Sequence, residues 1–180
     1  FVDLKASGNF NDFYVNQLKL NYLTTELNVN GNVKNLMSID GLAFDANINK
    51  SLIKESDIVT LLPTLDLPNY YDLTFSNLDV KYIGTVKKFN VQLKSNMNSG
   101  YLDLNTNLDF TKQDLVYGLQ FKTENLDLSP FINTATGFNL SGNIQGTGTD
   151  IEKVVASVMV KTDYKSFFNG FEIDSLDLFV

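Results

Sequence analysis

The chain contains no cysteine, histidine, tryptophan or arginine, and only 3 prolines in 180 residues. Without cysteine there is no disulfide, no thiol nucleophile and no thiolate metal site, although a reducing cytosol and a bacterial envelope both remain compatible. Without histidine the usual base for a hydroxyl nucleophile is missing, and any metal would have to be held by oxygen alone. All 14 basic residues are lysines, they are scattered, and the formal net charge is −7. Phosphate backbones are held by clustered cations, so no nucleic-acid partner is expected. The single adjacent pair, Lys87-Lys88, reads as a solvated turn. No run reaches the roughly 20 apolar residues of a membrane span, and Phe1 opens no basic-then-apolar leader. A start without Met and an end at Val180 inside a strand-like run read as residues 1–180 being one unit cut from a longer repetitive protein.

What the chain does have is alternation with period two. Leu18, Leu20 and Tyr22 share one phase, followed by Leu27, Val29, Gly31 and Val33, then Leu42, Phe44, Ala46 and Ile48. Further on come Phe89, Val91 and Leu93, then Leu102, Leu104, Leu108 and Phe110, then Tyr117, Leu119 and Phe121. The last sets are Phe138, Leu140, Gly142 and Ile144, and then Ala156, Val158 and Val160. Short strands recurring about every ten residues predict a mostly β chain: an antiparallel meander, sandwich, barrel or groove.

A small polar residue followed by Leu and Asp recurs at Asn77-Leu78-Asp79, Asn107-Leu108-Asp109, Asn125-Leu126-Asp127 and Ser175-Leu176-Asp177. In the first, third and fourth copies the apolar residues are odd-numbered before the triplet (Phe75, Phe121, Ile173) and even-numbered after it (Val80, Leu128, Leu178). A strand cannot change phase without an extra residue, so a bulge, corner or break is predicted at Ser76-Asn77, Glu124-Asn125 and Asp174-Ser175. The copy at Asn107 keeps phase and predicts a straight strand. The triplet aspartates read as solvent-side spacers, and Asp103, Asp109 and Asp127, on the polar phase of strands, read as solvated or paired across strands. Asparagine is abundant in turns and on the outward phase, where its side chain satisfies backbone groups and tolerates a left-handed conformation.

Three places depart from the β pattern and predict two or three short helices. Ser56 is positioned to cap a turn through Asp57, Ile58, Leu61 and Leu62 before Pro63. Ser129-Pro130 starts another through Phe131 and Ile132 toward Gly137, and Thr149-Asp150 caps a third through Ile151 and Val154. Their expected role is to plug the end of a β layer.

Chemistry finds little to hold on to. No calcium loop of the alternating Asp/Asn type followed by Gly and a twelfth-position Glu is present, and paired carboxylates are defined by spatial separation that spacing alone does not give. Gly142, Gly146 and Gly148 have the wrong spacing for a phosphate loop, and strand alternation runs through them, so Gly142 and Gly146 read as points of close packing or bending. Tyr70-Tyr71 is a candidate aromatic platform for sugar, or simply the start of a strand. No catalytic residue, metal site or cofactor is expected, and the chain reads as a non-enzyme.

The remaining feature is the apolar face. In a closed sandwich it is core, and the chain is then a binding module or an adhesin repeat. In a folded-over sheet with an open seam it is a hydrophobic trough, which water tolerates poorly and an acyl chain fills well. A third reading is a chaperone-like surface that templates other strands along an exposed edge.

Several runs resemble a known family. Gly31-Asn-Val-Lys-Asn-Leu36, the strand through Ile48, and Asp57-Ile-Val-Thr-Leu-Leu-Pro63 with Leu67-Pro68 are similar to the AsmA/TamB-like superfamily of bacterial envelope proteins. Asn125-Leu-Asp-Leu-Ser-Pro-Phe131, Leu140-Ser-Gly-Asn-Ile-Gln-Gly-Thr-Gly148 and Phe168-Asn-Gly-Phe-Glu-Ile-Asp-Ser-Leu176 resemble the TamB-type translocation and assembly proteins of Bacteroidota-like bacteria.

The resemblance implies a β-taco: an antiparallel meander folded into a U-shaped groove in the periplasm, anchored in the inner membrane in the full-length protein. It implies carriage of phospholipid acyl chains between inner and outer membrane. It also implies support of outer-membrane protein assembly, with an outer-membrane barrel partner engaged through regions outside this segment. The family has no catalytic residues to transfer. The groove lining expected on this reading is Val29, Val33, Phe44, Ile48, Val80, Val91, Leu93, Leu104, Leu108, Leu119, Phe121, Leu140, Ile144 and Val158. Roughly ten strands at about 4.8 Å would make a segment about 50 Å long.

Overall fold

The computed structural model describes residues 1–62, 73–98, 100–149 and 154–179. Eleven strands lie side by side in one antiparallel sheet. They are β1 (Val2–Gly8), β2 (Asp12–Tyr22), β3 (Thr25–Lys34), β4 (Ala43–Lys54), β5 (Thr74–Thr85), β6 (Lys88–Met97), β7 (Gly100–Asp109), β8 (Val116–Glu124), β10 (Leu140–Thr147), β11 (Val155–Thr162) and β14 (Asp177–Phe179). A satellite sheet is made by β9 (Thr136–Gly137), β12 (Ser166–Phe168) and β13 (Phe171–Ile173). Asn169 and Gly170, both at positive φ, make the tight turn between β12 and β13.

The large sheet is curved and open. β1 and β14 are its two ends and do not pair with each other, so the sheet is not closed into a barrel.

The phase changes are where the ladder breaks. In β5, Asn77 and Leu78 together face Ser95, and Asn77 has φ 50°. β8 ends at Glu124, and Asn125 turns the chain with φ 47°. Ile173 ends β13 and Asp177 begins β14, so the fourth triplet separates two different sheets. The phase-keeping copy lies in β7, whose ladders to β6 and β8 run without a slip.

Two more bulges carry the same sequence signal. Asn16 and Gln17 of β2 face Asn30 alone, and Asn49 and Lys50 of β4 face Asp79 alone, with Lys50 at φ 42°. Phe13 and Val15 are odd where Leu18 and Leu20 are even, so starting the alternation at Leu18 hides both β1 and the first half of β2.

The helices need correction. α1 (Glu55–Leu61) is preceded by Lys54, so Ser56 lies inside the helix and makes no cap. Asp57 is indeed in its first turn, but its buried carboxylate accepts the Thr24 and Thr25 amides at 2.9 and 2.8 Å, pinning the β2–β3 turn. α2 (Ser129–Ile132) is a single turn stopped by Asn133 at φ 50°, well short of Gly137. Ser129 is its first helical residue, not its cap. Asp127, expected on a strand, sits in the loop and accepts the Ser129 amide at 2.8 Å. The stretch from Asp150 to Lys153, Pro63, Leu67-Pro68 and Tyr70-Tyr71 lie outside the described residues.

The buried apolar core is small and sits at one rim, where α1, the β8–β10 excursion and the satellite sheet gather. Leu73, Met97 and Leu126 are buried there, with Phe75, Leu102, Leu128 and Phe138 packed on them.

Candidate functional site: an apolar wall on an open sheet

Register decides which side chains stand together. Val29, Ile48, Val80, Leu93, Leu104 and Phe121 are consecutive cross-strand partners and form one row straight across the sheet. Val91, Leu119, Ile144 and Val158 belong to a second row, two residues along, which also contains Gly31, Ala46, Tyr82 and Thr106. Val33, Phe44 and Leu108 belong to a third, with Gly84, Phe89, Tyr117 and Gly146. Leu140 stands on the same face nearer the core rim, opposite Thr162. The structure therefore brings all fourteen expected lining residues onto one face.

None of the fourteen is buried, and none is fully exposed. The rows shield one another laterally, as cross-strand neighbours about 5 Å apart do, and every one of the fourteen keeps part of its surface exposed. Along one margin the shielding is aromatic. Phe44 meets Tyr82 edge-on with centroids 6.0 Å apart, Tyr82 stacks on Phe89 at 5.0 Å, and Phe89 stacks on Phe110 at 6.3 Å. The Tyr82 hydroxyl donates to the Thr85 carbonyl at 2.7 Å, so the one polar atom of that series is satisfied locally.

The glycines in β10 explain how the wall stays smooth. A Cβ on Gly142 would lie 2.7 Å from the Phe121 ring, and one on Gly146 would lie 2.6 Å from the Tyr117 hydroxyl. Each ring lies over the neighbouring strand where that strand has no side chain, which is close packing as the spacing implied.

A line of buried hydroxyls at the core rim was invisible in the alternation. Thr25, Ser51, Ser95, Thr123 and Ser166 are all under 5% exposed. Their partners are backbone groups that bulges and strand ends leave without a ladder bond. Ser51 accepts the Asn28 amide at 2.9 Å, and Thr25 accepts the Lys54 amide at 3.1 Å. The Ser95 hydroxyl lies 3.1 and 3.0 Å from the Ser76 and Asn96 carbonyls. Thr123 accepts the Leu140 amide at 3.0 Å while donating to the Phe138 carbonyl at 2.9 Å, and Ser166 accepts the Asn139 amide at 2.9 Å. Asp79 does the same from a triplet, accepting the Lys50 amide at 2.9 Å across the β4 bulge. It is thus a staple, not a spacer. A signal existed: Ser and Thr on an otherwise apolar phase next to a phase break.

The other aspartates on β7 pair across the sheet. Asp103 meets Lys94 and Asp109 meets Lys88, each at 2.9 Å and each with its direct register partner. Hydrogen bonds from the Thr111 hydroxyl, from Lys88 and from the Thr111 amide hold the Asp109 carboxyl down at about 2. Among the described residues no three carboxylates converge to hold a metal ion, and no helix is long and apolar enough to cross a membrane. Comparison with family models, with curated proteins and with solved structures gave no match.

Proposed function

We propose that this chain is a non-enzymatic segment of a lipid conduit in a bacterial cell envelope, its apolar wall carrying phospholipid acyl chains between inner and outer membrane. The observation that supports this is the wall itself: three parallel rows of mainly apolar side chains across an open sheet, with none of the fourteen expected lining residues buried. Water tolerates such a surface poorly, and each methylene of an acyl chain laid on it contributes about 0.8 kcal/mol. Rows that continue from strand to strand offer the same environment at every step of about 4.8 Å. A chain lying on them slides without meeting a specific stop. Location in the periplasm, an inner-membrane anchor and an outer-membrane barrel partner belong to the same proposal, by resemblance, and concern residues beyond this segment.

The test is acyl-chain uptake. Delipidated protein is mixed with a fluorescent fatty acid and compared with the Leu104→Asp and Ile144→Asp variants. Uptake by the wild type, lost in both variants while their circular dichroism is unchanged, supports the conduit. Absence of uptake by the wild type, or uptake undiminished by both substitutions, overturns it.

A further inference from the structure

The face opposite the wall carries its own ordered array. Gln92, Asn105, Gln120 and Asn143 are successive cross-strand partners on β6, β7, β8 and β10. Beside them Asn90 pairs with Asn107, and Gln145 lies one strand further on, across Gly118. Gly118 is buried, and the Asn107 side chain occupies the space a Cβ there would need. The missing side chain lets the carboxamide lie down on the sheet.

Three depressions on this face adjoin through shared residues. One of about 400 Å³ is bounded by Gln92, Lys94, Asp103, Asn105, Gln120 and Lys122. The next, about 370 Å³, shares Gln92 and Asn105 and adds Asn90 and Asn107. A smaller one of about 120 Å³ lies over Gly118, between Asn105, Gln120, Asn143 and Gln145. Carboxamides are the commonest lining groups, beside Ile83 and parts of Leu104, Leu119 and Phe121; of the charged ones, Lys94 is paired with Asp103 and Lys122 with Glu124, and Lys81 stands at the edge.

Some asparagines elsewhere in the fold spend their side chains internally: Asn9, Asn35, Asn98 and Asn139 bond backbone at turns and strand ends, and Asn47 bonds Asn30. In contrast, none of the seven carboxamides of the array bonds another described residue, and the Asn143 Oδ1 is buried without a donor. A buried acceptor without a donor is costly, and the Asn32 Oδ1, outside the array, shares that state.

We propose that this carboxamide array binds a neutral polysaccharide. Carboxamides offer donor and acceptor together and no charge, which matches a polyhydroxylated chain and fits an anionic or cationic polymer poorly. The rows repeat at the strand spacing of about 4.8 Å, close to the advance of one sugar unit along an extended glycan, so one pattern of bonds recurs at each step. The binding face lies opposite the wall. Glycan on one side and acyl chain on the other are therefore independent.

Affinity electrophoresis of the whole chain tests this, through gels containing dextran, laminarin or galactomannan as neutral probes, with an alginate gel as the anionic control. Retardation in at least one neutral gel and none beyond wild-type drag in alginate is expected. The Asn105→Ala/Gln120→Ala variant should lose that retardation at least tenfold in apparent affinity, with thermal melting and fatty-acid uptake unchanged. Ile144→Asp, on the wall, should keep the retardation while losing uptake. No retardation in any neutral gel, or equal retardation by the double variant, overturns the glycan assignment without touching the conduit.

Discussion

Leu126 and Leu104 are the same residue in two different physical situations. Leu126 stands at the core rim, buried with Leu73 and Met97 under Phe138 and its neighbours, where the ladder is broken by bulges and rejoined through buried hydroxyls. Leu104 stands mid-strand in β7, on the apolar wall, where ladders run unbroken from β6 to β11 and the side chain stays partly exposed. The rim holds the fold. The wall presents a surface. The difference shows that hydrophobicity in this chain does two jobs, and that irregular backbone marks the first while regular backbone marks the second.

Substitutions break or sharpen that contrast. Leu126→Ala should cost about 2–5 kcal/mol in urea unfolding, the range for emptying a buried leucine site. Ser51→Ala should cost about 1–3 kcal/mol by stranding the Asn28 amide, and Ser51→Thr does not rescue it if the fully buried site has no room for the methyl. Leu104→Ala should cost less, about 1–2 kcal/mol, because the side chain keeps part of its surface exposed in the folded state. A loss at Leu104 as large as that at Leu126 would mean the wall is roofed, and the contrast would collapse.

The smallest effect expected concerns pH. Asp109 is held near 2, below its ordinary 3.8, so its contribution is complete above the ordinary carboxylate range and disappears as pH falls from about 4 toward 2. Unfolding curves of the wild type and Asp109→Asn should therefore converge over that interval. Curves that stay parallel down to pH 2 would show that the Thr111 and Lys88 bonds contribute nothing.

The β architecture was legible because alternation is a backbone property. Val91, Leu93, Leu104, Leu119 and Ile144 declare their face by parity alone, and the Asn77 bulge declared itself by a change of parity. The β2 and β4 bulges were written in the same signal, at Asn16 and Lys50, and needed only the same comparison. Ser56 misled because capping preference is local, while Asp57 is held by the β2–β3 turn, which lies more than thirty residues away. Ser51, Thr123 and Ser166 stayed hidden because a hydroxyl on an apolar phase has meaning only once the backbone group it satisfies is known.

By itself the sequence determined the strands, their faces and several of their breaks, since side-chain period two leaves no freedom about which residues stand together on one strand. Whether the common apolar face became core or surface was decided only in three dimensions. Closing a sheet into a barrel requires its first and last strands to meet, and here β1 and β14 are the opposite ends of an eleven-strand order. That topological fact leaves the sheet open, with none of the fourteen wall residues buried and the carboxamide array on its other face.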